Sequence, residues 1–206
     1  NAANDRFLNL QWYVADSSTA STGLNALGQP IGGTEVALNA AEVAAAQTNP
    51  DISPTPNTVA SPVGPNWVQI GTEGGFLPTP TTVNGHQITT FITNPTRFDV
   101  GNVDLHSLLL GTAERGDVIV DFSKYAGKTL ILYNDAPAAF PARVANYDYY
   151  TGGPDLTGSG GAPTTLAGYG PNTRTIMQVK IAATPAAAAF NMVPLTAAFA
   201  PHNDAA

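Results

Sequence analysis

The chain has 206 residues, enough for a core of ordinary size, and its charged fraction of 11% with 20 Gly and 17 Pro is typical of a loop-rich β protein rather than a helical bundle. The net charge of −7 comes without a basic cluster, which argues against nucleic acid or an anionic membrane surface as a partner. The lack of cysteine excludes disulfides and thiolate ligands in this chain, and no apolar run approaches the roughly 20 residues that span a bilayer.

The first part of the chain predicts a strand, a helix and a proline-rich loop. Apolar and polar residues alternate over Phe7–Val14, the pattern of a half-buried strand. Thr34–Gln47 predicts a helix with its first residue as the N-cap. Five prolines in residues 50–65 predict an extended loop. A short strand follows at Asn66–Gly71, which the glycines and prolines of residues 74–80 are expected to end.

Beyond residue 80 the pattern predicts further β structure. An Asn-Gly pair at positions 84 and 85 predicts a β-hairpin over Thr81–Thr93. Leu105–Leu110 is a short apolar run. After a long irregular region at residues 136–171, Arg174–Ile181 alternates as a strand, with its first residue on the polar face.

The stretch ERGDVIVDFSKYAGKTLILYNDAP, at residues 114–137, holds two apolar runs among its charges. Alternation places Val118, Val120 and Phe122 on one face, which we expect to lie in the core. A turn at Ser123–Lys128 leads to a strand at Thr129–Tyr133. The two strands are therefore expected to form a hairpin or a Greek-key corner.

The fold class predicted from these elements is all-β. About six short strands, one short helix and long loops indicate a β-sandwich of Greek-key type over residues 1–181. The Ala-rich residues 182–206 lack a clean period and are expected to form a linker or tail.

Few residues suggest catalysis or metal binding. His86, His106 and His202 are isolated, without the close second His or Cys of a metal-ligand cluster. We expect the first to be an exposed loop residue and the second a structural histidine at a strand start, whereas the third lies in the tail. No catalytic residue and no metal ligand is predicted.

The sequence YDYY at positions 147–150 has two interpretations. Tyr147, Asp148, Tyr149 and Tyr150 could line a carbohydrate-binding or phenol-binding surface, because aromatic faces beside a carboxylate suit such ligands. Alternatively, the tyrosines hold a long loop onto the sandwich, and this interpretation is favoured.

The carboxylates that begin at Glu114 are expected to be structural. General acid–base catalysis needs carboxylates whose environments drive their pKa values apart, whereas opposite charges nearby keep acids ionised. Arg115 and Asp117 lie two positions apart, hence on one side of an extended strand. The spacing predicts a structural ion pair between them.

Four segments resemble the middle domain of bacterial three-domain multicopper oxidases, the branch with laccase-like, bilirubin-oxidase-like and manganese-oxidising enzymes. The residues that carry the resemblance are NAANDRFLNLQWY at 1–13, QIGTEGGFLP at 69–78, GTAERGDVIVDFSKYAGKTLILYNDAPAAFP at 111–141, and YDYYTGGPDL with GYGPNTRTIMQVKI within 147–181. The resemblance implies a cupredoxin-like sandwich whose first strand precedes Asn1. The chain begins without an initiator Met or a signal peptide, as expected of a processed or excised segment.

The resemblance also implies a function. Enzymes of this family oxidise phenols, aryl amines or metal ions and reduce dioxygen to water. Their copper ligands are HxH and HCH motifs of the first and last domains, and neither motif occurs here. The resemblance therefore implies an exported, periplasmic or extracellular enzyme with copper, in which this segment binds none. It would bridge the flanking copper-binding cupredoxin domains and help to wall the substrate region.

An alternative from a different class is a stand-alone secreted binding module. In that case the Tyr-rich loop would recognise a sugar or a protein surface. The fragment hypothesis predicts exposed apolar surface that flanking domains cover, whereas the module hypothesis predicts a stable monomer with its own ligand.

Overall fold

A computed structural model describes residues 1–2, 6–16, 33–136, 144–167, 170–184, 188 and 190–200. This part of the chain forms seven β-strands and two short α-helices. Their bounds are β1 Leu8–Val14, α1 Ala40–Ala46, β2 Trp67–Thr72, β3 Gly75–Val83, β4 Leu108–Leu110, β5 Gly116–Val120, β6 Thr129–Asn134, β7 Thr175–Lys180 and α2 Met192–Phe199.

The strands form two antiparallel sheets. One has four strands in the order β4-β1-β6-β7, and the other has three in the order β3-β2-β5. The prediction of an all-β sandwich is confirmed. Because β5 and β6 belong to different sheets, the stretch that begins at Glu114 forms a corner between the sheets and not a hairpin.

The main core lies between the two sheets. Trp12 of β1 and Trp67 of β2 meet with ring centroids 5.3 Å apart, and Phe122 contacts Trp12 edge-on at 5.1 Å. Leu108, Leu130 and Leu132 complete the buried cluster. The partly buried side chains that pack against it include Val118, Val120 and Phe122, so the inward face predicted from alternation is confirmed.

The outer face of the four-stranded sheet is also buried. Tyr13, Ile131 and Tyr133 alternate with the main-core residues and form a second cluster with Ala15 and Val36. The backbone around residues 33–63 covers this face, since Val14 N donates to Pro62 O and Asp16 N donates to Glu35 O. This covering segment brings α1 against the sheet and creates the setting of the candidate site.

The helix prediction over Thr34–Gln47 was wrong in its first half. Residues before α1 are extended: Leu38 pairs with Pro56 as an isolated bridge, and Asn39 N donates to Thr55 O. Asn39 is the N-cap, and its side chain accepts from Ala41 N at 3.1 Å. The extended path prevails because it buries Val36 against the sheet, a tertiary contact that helix propensity does not include.

Two predictions about β3 and its neighbourhood were also wrong. The glycines and prolines of residues 74–80 do not end the β structure, because they lie in β3. Proline is tolerated there because β3 is an edge strand, and the register slips between Gln69 and Gly71 opposite the prolines. The hairpin expected over Thr81–Thr93 does not form, since the chain after Gly85 leaves the sheet.

The predicted linker or tail at residues 182–206 contains a helix, so two helices replace the single one expected. Asn191 caps α2 and accepts from Val193 N at 2.9 Å. Phe199 of α2 meets Phe76 of β3 edge-on, with ring centroids 5.8 Å apart. The tail therefore contacts the three-stranded sheet.

Candidate functional site

A buried arginine ties the Tyr-rich loop to the four-stranded sheet. Arg174 directly precedes β7 and is 2% exposed. Its Nε donates to Asp148 Oδ1 at 3.0 Å and its Nη2 to Asp148 Oδ2 at 2.6 Å, a bidentate ion pair that is itself buried. The geometry matches the parallel pairing that guanidinium and carboxylate groups prefer.

The remaining donors of this guanidinium are also used. Nη1 donates to Pro54 O at 2.5 Å and to the Tyr133 hydroxyl at 3.0 Å, and Nη2 donates to Ser53 Oγ at 2.9 Å. The guanidinium carbon lies 4.5 Å from the centroid of the Tyr150 ring. With all five N–H groups paired, Arg174 has no donor left for an incoming anion.

The buried cluster shifts the pKa values of its members. Burial raises the pKa of Tyr133 to about 12, although the nearby guanidinium opposes the shift. Burial lowers the pKa of Arg174, but the neighbouring Tyr133 and Asp148 outweigh it, so that pKa lies above its ordinary value. Both groups therefore keep their ordinary protonation state at neutral pH and act as a structural clamp.

The structure separates the four predicted residues of the Tyr-rich loop. Asp148 and Tyr150 are held by Arg174, whereas Tyr147 is 53% exposed. Tyr149 is fixed through its backbone, because its N–H donates to Thr173 Oγ1 at 3.0 Å and its carbonyl accepts from Thr173 N at 2.7 Å. The loop is thus pinned to the sheet, and its acid and one of its aromatic rings face inward.

A cleft of about 360 Å³ lies beside this clamp. One wall is the face of α1 that carries Ala40, Val43 and Ala44, with Gln47 one turn further on. The other walls come from residues around Val36 and from the segments near Tyr133, Tyr150 and Arg174. The residues that line the cleft are Asp16, Glu35, Val36, Ala37, Leu38, Ala40, Val43, Ala44, Gln47, Tyr133, Tyr150, Thr151, Ala167, Asn172, Arg174 and Thr175. The cleft lies outside the main core.

A second polar cluster lies at the end of β6. Asp135 accepts from Thr89 N at 2.6 Å, from Thr89 Oγ1 at 3.0 Å and from Asn9 Nδ2 at 2.6 Å. Burial raises the pKa of Asp135 to about 6, and these hydrogen bonds oppose the shift. The cluster anchors the irregular segment around Thr89 to the four-stranded sheet.

The ion pair predicted between Arg115 and Asp117 is not among those that the described residues form. The ion pairs that they form include those of Arg174 with Asp148 and of Arg97 with Asp99. Arg115 instead donates from Nη1 to Ala113 O at 3.1 Å, and its backbone N–H donates to a Glu73 carboxylate oxygen at 3.1 Å.

The described residues do not fit a copper site. His86 is half-buried rather than exposed, and its Nδ1 is buried without a hydrogen-bond partner. His106 is exposed, and its Nδ1 lies 2.8 Å from the Ser107 carbonyl oxygen. His202 lies outside the described residues. Within the described ranges no three His, Cys, Asp or Glu side chains are grouped to hold a metal ion.

Comparison with known proteins gives one partial similarity. A laccase from Bacillus subtilis (strain 168) is 34% identical over 73 residues, which cover 35% of this chain and 10% of that protein. The match thus spans about a tenth of the length of the laccase. No family model and no solved structure matches the chain.

This partial similarity indicates a relationship to multicopper oxidases, the oxidoreductases to which laccases belong, and to nothing finer. The assignment to a middle domain and to the cupredoxin type stays a prediction. Among the described residues no helix is long and apolar enough to cross a membrane.

Proposed function

We propose that this chain is the middle domain of a three-domain multicopper oxidase. In this role it bridges the flanking copper-binding domains and forms part of the wall of the substrate region. The parent enzyme oxidises phenols, aryl amines or metal ions, reduces dioxygen to water, and is exported. The observation that carries the proposal is the 73-residue similarity to a laccase.

The donor inventory supports a role without copper for this segment. Copper sites in oxidases use soft thiolate and clustered imidazole ligands. The chain has no cysteine, and His86 and His106 belong to no cluster of metal-binding side chains among the described residues. The ligands of the parent enzyme would therefore come from its other domains.

The exposed apolar side chains are consistent with flanking domains. Phe98, Val59 and Phe76 are 105%, 91% and 79% exposed, and Met177 on the edge strand β7 is 48% exposed. Large apolar side chains that project this far are stabilised when a neighbouring domain covers them.

The Tyr-rich loop gives little support to the alternative of a stand-alone binding module. A sugar-binding surface needs accessible aromatic faces with a carboxylate that can accept hydrogen bonds. Here both oxygens of Asp148 are occupied by Arg174, and Tyr150 is buried. Tyr147 is the strongly exposed side chain of the four.

The test is to isolate the native protein that contains this chain and to measure its intact mass, its copper content and its dioxygen uptake. We expect a polypeptide much larger than the 21.2 kDa of this chain, with bound copper and oxidase activity. A native protein of about 21.2 kDa without oxidase activity would contradict the proposal. Stoichiometric copper in the purified 206-residue chain would contradict its copper-free role.

A further inference from the structure

The cleft between α1 and the Arg174 clamp has the size and lining of a small-molecule site. Its volume of about 360 Å³ falls near the lower end of the range of roughly 300–1,000 Å³ that is usual for ligand pockets. Ala40, Val43 and Ala44 recur at helical spacing on one wall, and Val36 and Leu38 extend the apolar surface. Small alanine side chains leave space that larger residues would fill.

The charges around the cleft disfavour anions. Asp16 and Glu35 contribute two carboxylates to the lining. The cation of the lining set is Arg174, whose five N–H groups already donate to Asp148, Pro54, Tyr133 and Ser53. An incoming carboxylate would be desolvated close to two other carboxylates and without a cation free to pair with it, which is costly.

One polar group of the wall lacks a partner. Thr151 lines the cleft, and its Oγ1 is buried and makes no hydrogen bond with the described residues. A buried hydroxyl without a partner destabilises a protein, and a ligand oxygen that reaches it would supply the missing hydrogen bond. The apolar walls and this hydroxyl together define the chemistry of the occupant.

We propose that the cleft binds a small uncharged molecule with an apolar body and a hydroxyl group that pairs with Thr151. The body packs against the α1 face, and the hydroxyl approaches the wall formed by the segment after Tyr150. This site is separate from the proposed oxidase function, so either proposal can fail while the other stands.

The test uses three probes of nearly equal size, namely benzyl alcohol, toluene and benzoate, with saturation-transfer NMR on the intact protein. We expect saturable binding of benzyl alcohol in the millimolar range or tighter. Toluene should bind about threefold to tenfold more weakly, since it lacks one hydrogen bond. Benzoate should show no saturable binding.

Variants locate the site. T151V keeps the side-chain shape and removes the hydroxyl, so it should abolish the preference for benzyl alcohol over toluene. T164V makes the same substitution at an exposed position and serves as the control, so it should leave the preference for benzyl alcohol over toluene unchanged. A44L should fill the cleft and weaken both probes, whereas A41L, on the same helix but outside the cleft lining, should not.

Several outcomes would overturn the inference. Failure of benzyl alcohol to saturate below about 10 mM would contradict a binding site for small uncharged molecules in the cleft. Equal binding of benzoate would contradict the charge argument. An unchanged preference in T151V, or an unchanged affinity in A44L, would place any binding elsewhere.

Discussion

Replacement of Arg174 by Met should be among the most destabilising single changes in this protein. The substitution keeps an unbranched side chain but leaves the Asp148 carboxylate buried and unpaired. It also leaves the Tyr133 hydroxyl and the Pro54 carbonyl without their donor. Removal of one partner of a buried ion pair typically costs about 3–5 kcal/mol, so we expect a loss of about 4 kcal/mol in the free energy of unfolding.

The chain offers a matched control in its exposed ion pair. Arg97 donates from Nε to Asp99 Oδ1 at 2.8 Å and from Nη2 to Oδ2 at 2.6 Å, nearly the same geometry as in the buried pair. The Arg97 side chain is 52% exposed, however, compared with 3% for Arg174. Because water replaces such contacts, R97M should leave the free energy of unfolding nearly unchanged. The two substitutions differ mainly in burial.

The assay is urea unfolding followed by tryptophan fluorescence, since Trp12 and Trp67 lie in the core. Hydrogen–deuterium exchange of peptides from residues 144–150 would show whether the loop loosens locally. The double variant R174M/D148L should recover part of the loss, because an apolar pair leaves no unpaired charge. A cost below about 1 kcal/mol for R174M, or equal costs for R174M and R97M, would refute the reasoning.

Three further changes test other parts of the fold. L130A removes a fully buried side chain and should cost about 2–5 kcal/mol in urea unfolding, whereas L105A, at a 52% exposed position, should be nearly neutral. The pKa of Asp135 is raised from 3.8 to about 6, so the contribution of this group to stability is complete below about pH 4 and is lost as the pH rises through 6. In unfolding measured from pH 4 to 7, the wild type should lose up to about 3 kcal/mol of its free energy of unfolding relative to D135N. Parallel pH curves for the two proteins would contradict this prediction. G85A should lower the free energy of unfolding by about 2 kcal/mol or more, because the added Cβ would overlap the Pro65 carbonyl oxygen. An unchanged midpoint of urea unfolding would contradict this and show that the backbone moves to make room.

The strands that face the main core could be predicted from the sequence. Alternation is a local signal. It correctly assigned the strand predicted at Phe7–Val14, which forms over Leu8–Val14, and the inward face of Val118 and Val120. It failed at β3, where Pro78 and Pro80 suggested a break. A proline ends a central strand but not an edge strand, and a single sequence does not show which strand lies at the edge.

The helix error has a related physical origin. Residues 34–47 have good helix propensity. However, Val36 and Leu38 are two positions apart, so in an extended segment both side chains would point to the same face. The sheet face of Tyr13 and Tyr133 decides between the two, since the extended path buries Val36 against them. Helix propensities differ by a few tenths of a kcal/mol per residue, which is less than the free energy gained when one valine side chain is buried.

The clamp illustrates why the candidate site was harder to predict than the fold. Arg174 lies on the polar face of the strand predicted at Arg174–Ile181, and alternation alone therefore predicts that its side chain faces water. It is buried because two distant segments, around Pro54 and around Asp148, cover that face and supply its partners. The sequence did contain one signal for this ion pair, namely the acidic Asp148 close to Tyr150 in an irregular loop. A buried carboxylate needs a cation as its partner, and this chain has only 8 Lys and Arg residues to provide one. A short supply of cations narrows the choice of partner, but only the fold brings residues 26 positions apart into contact.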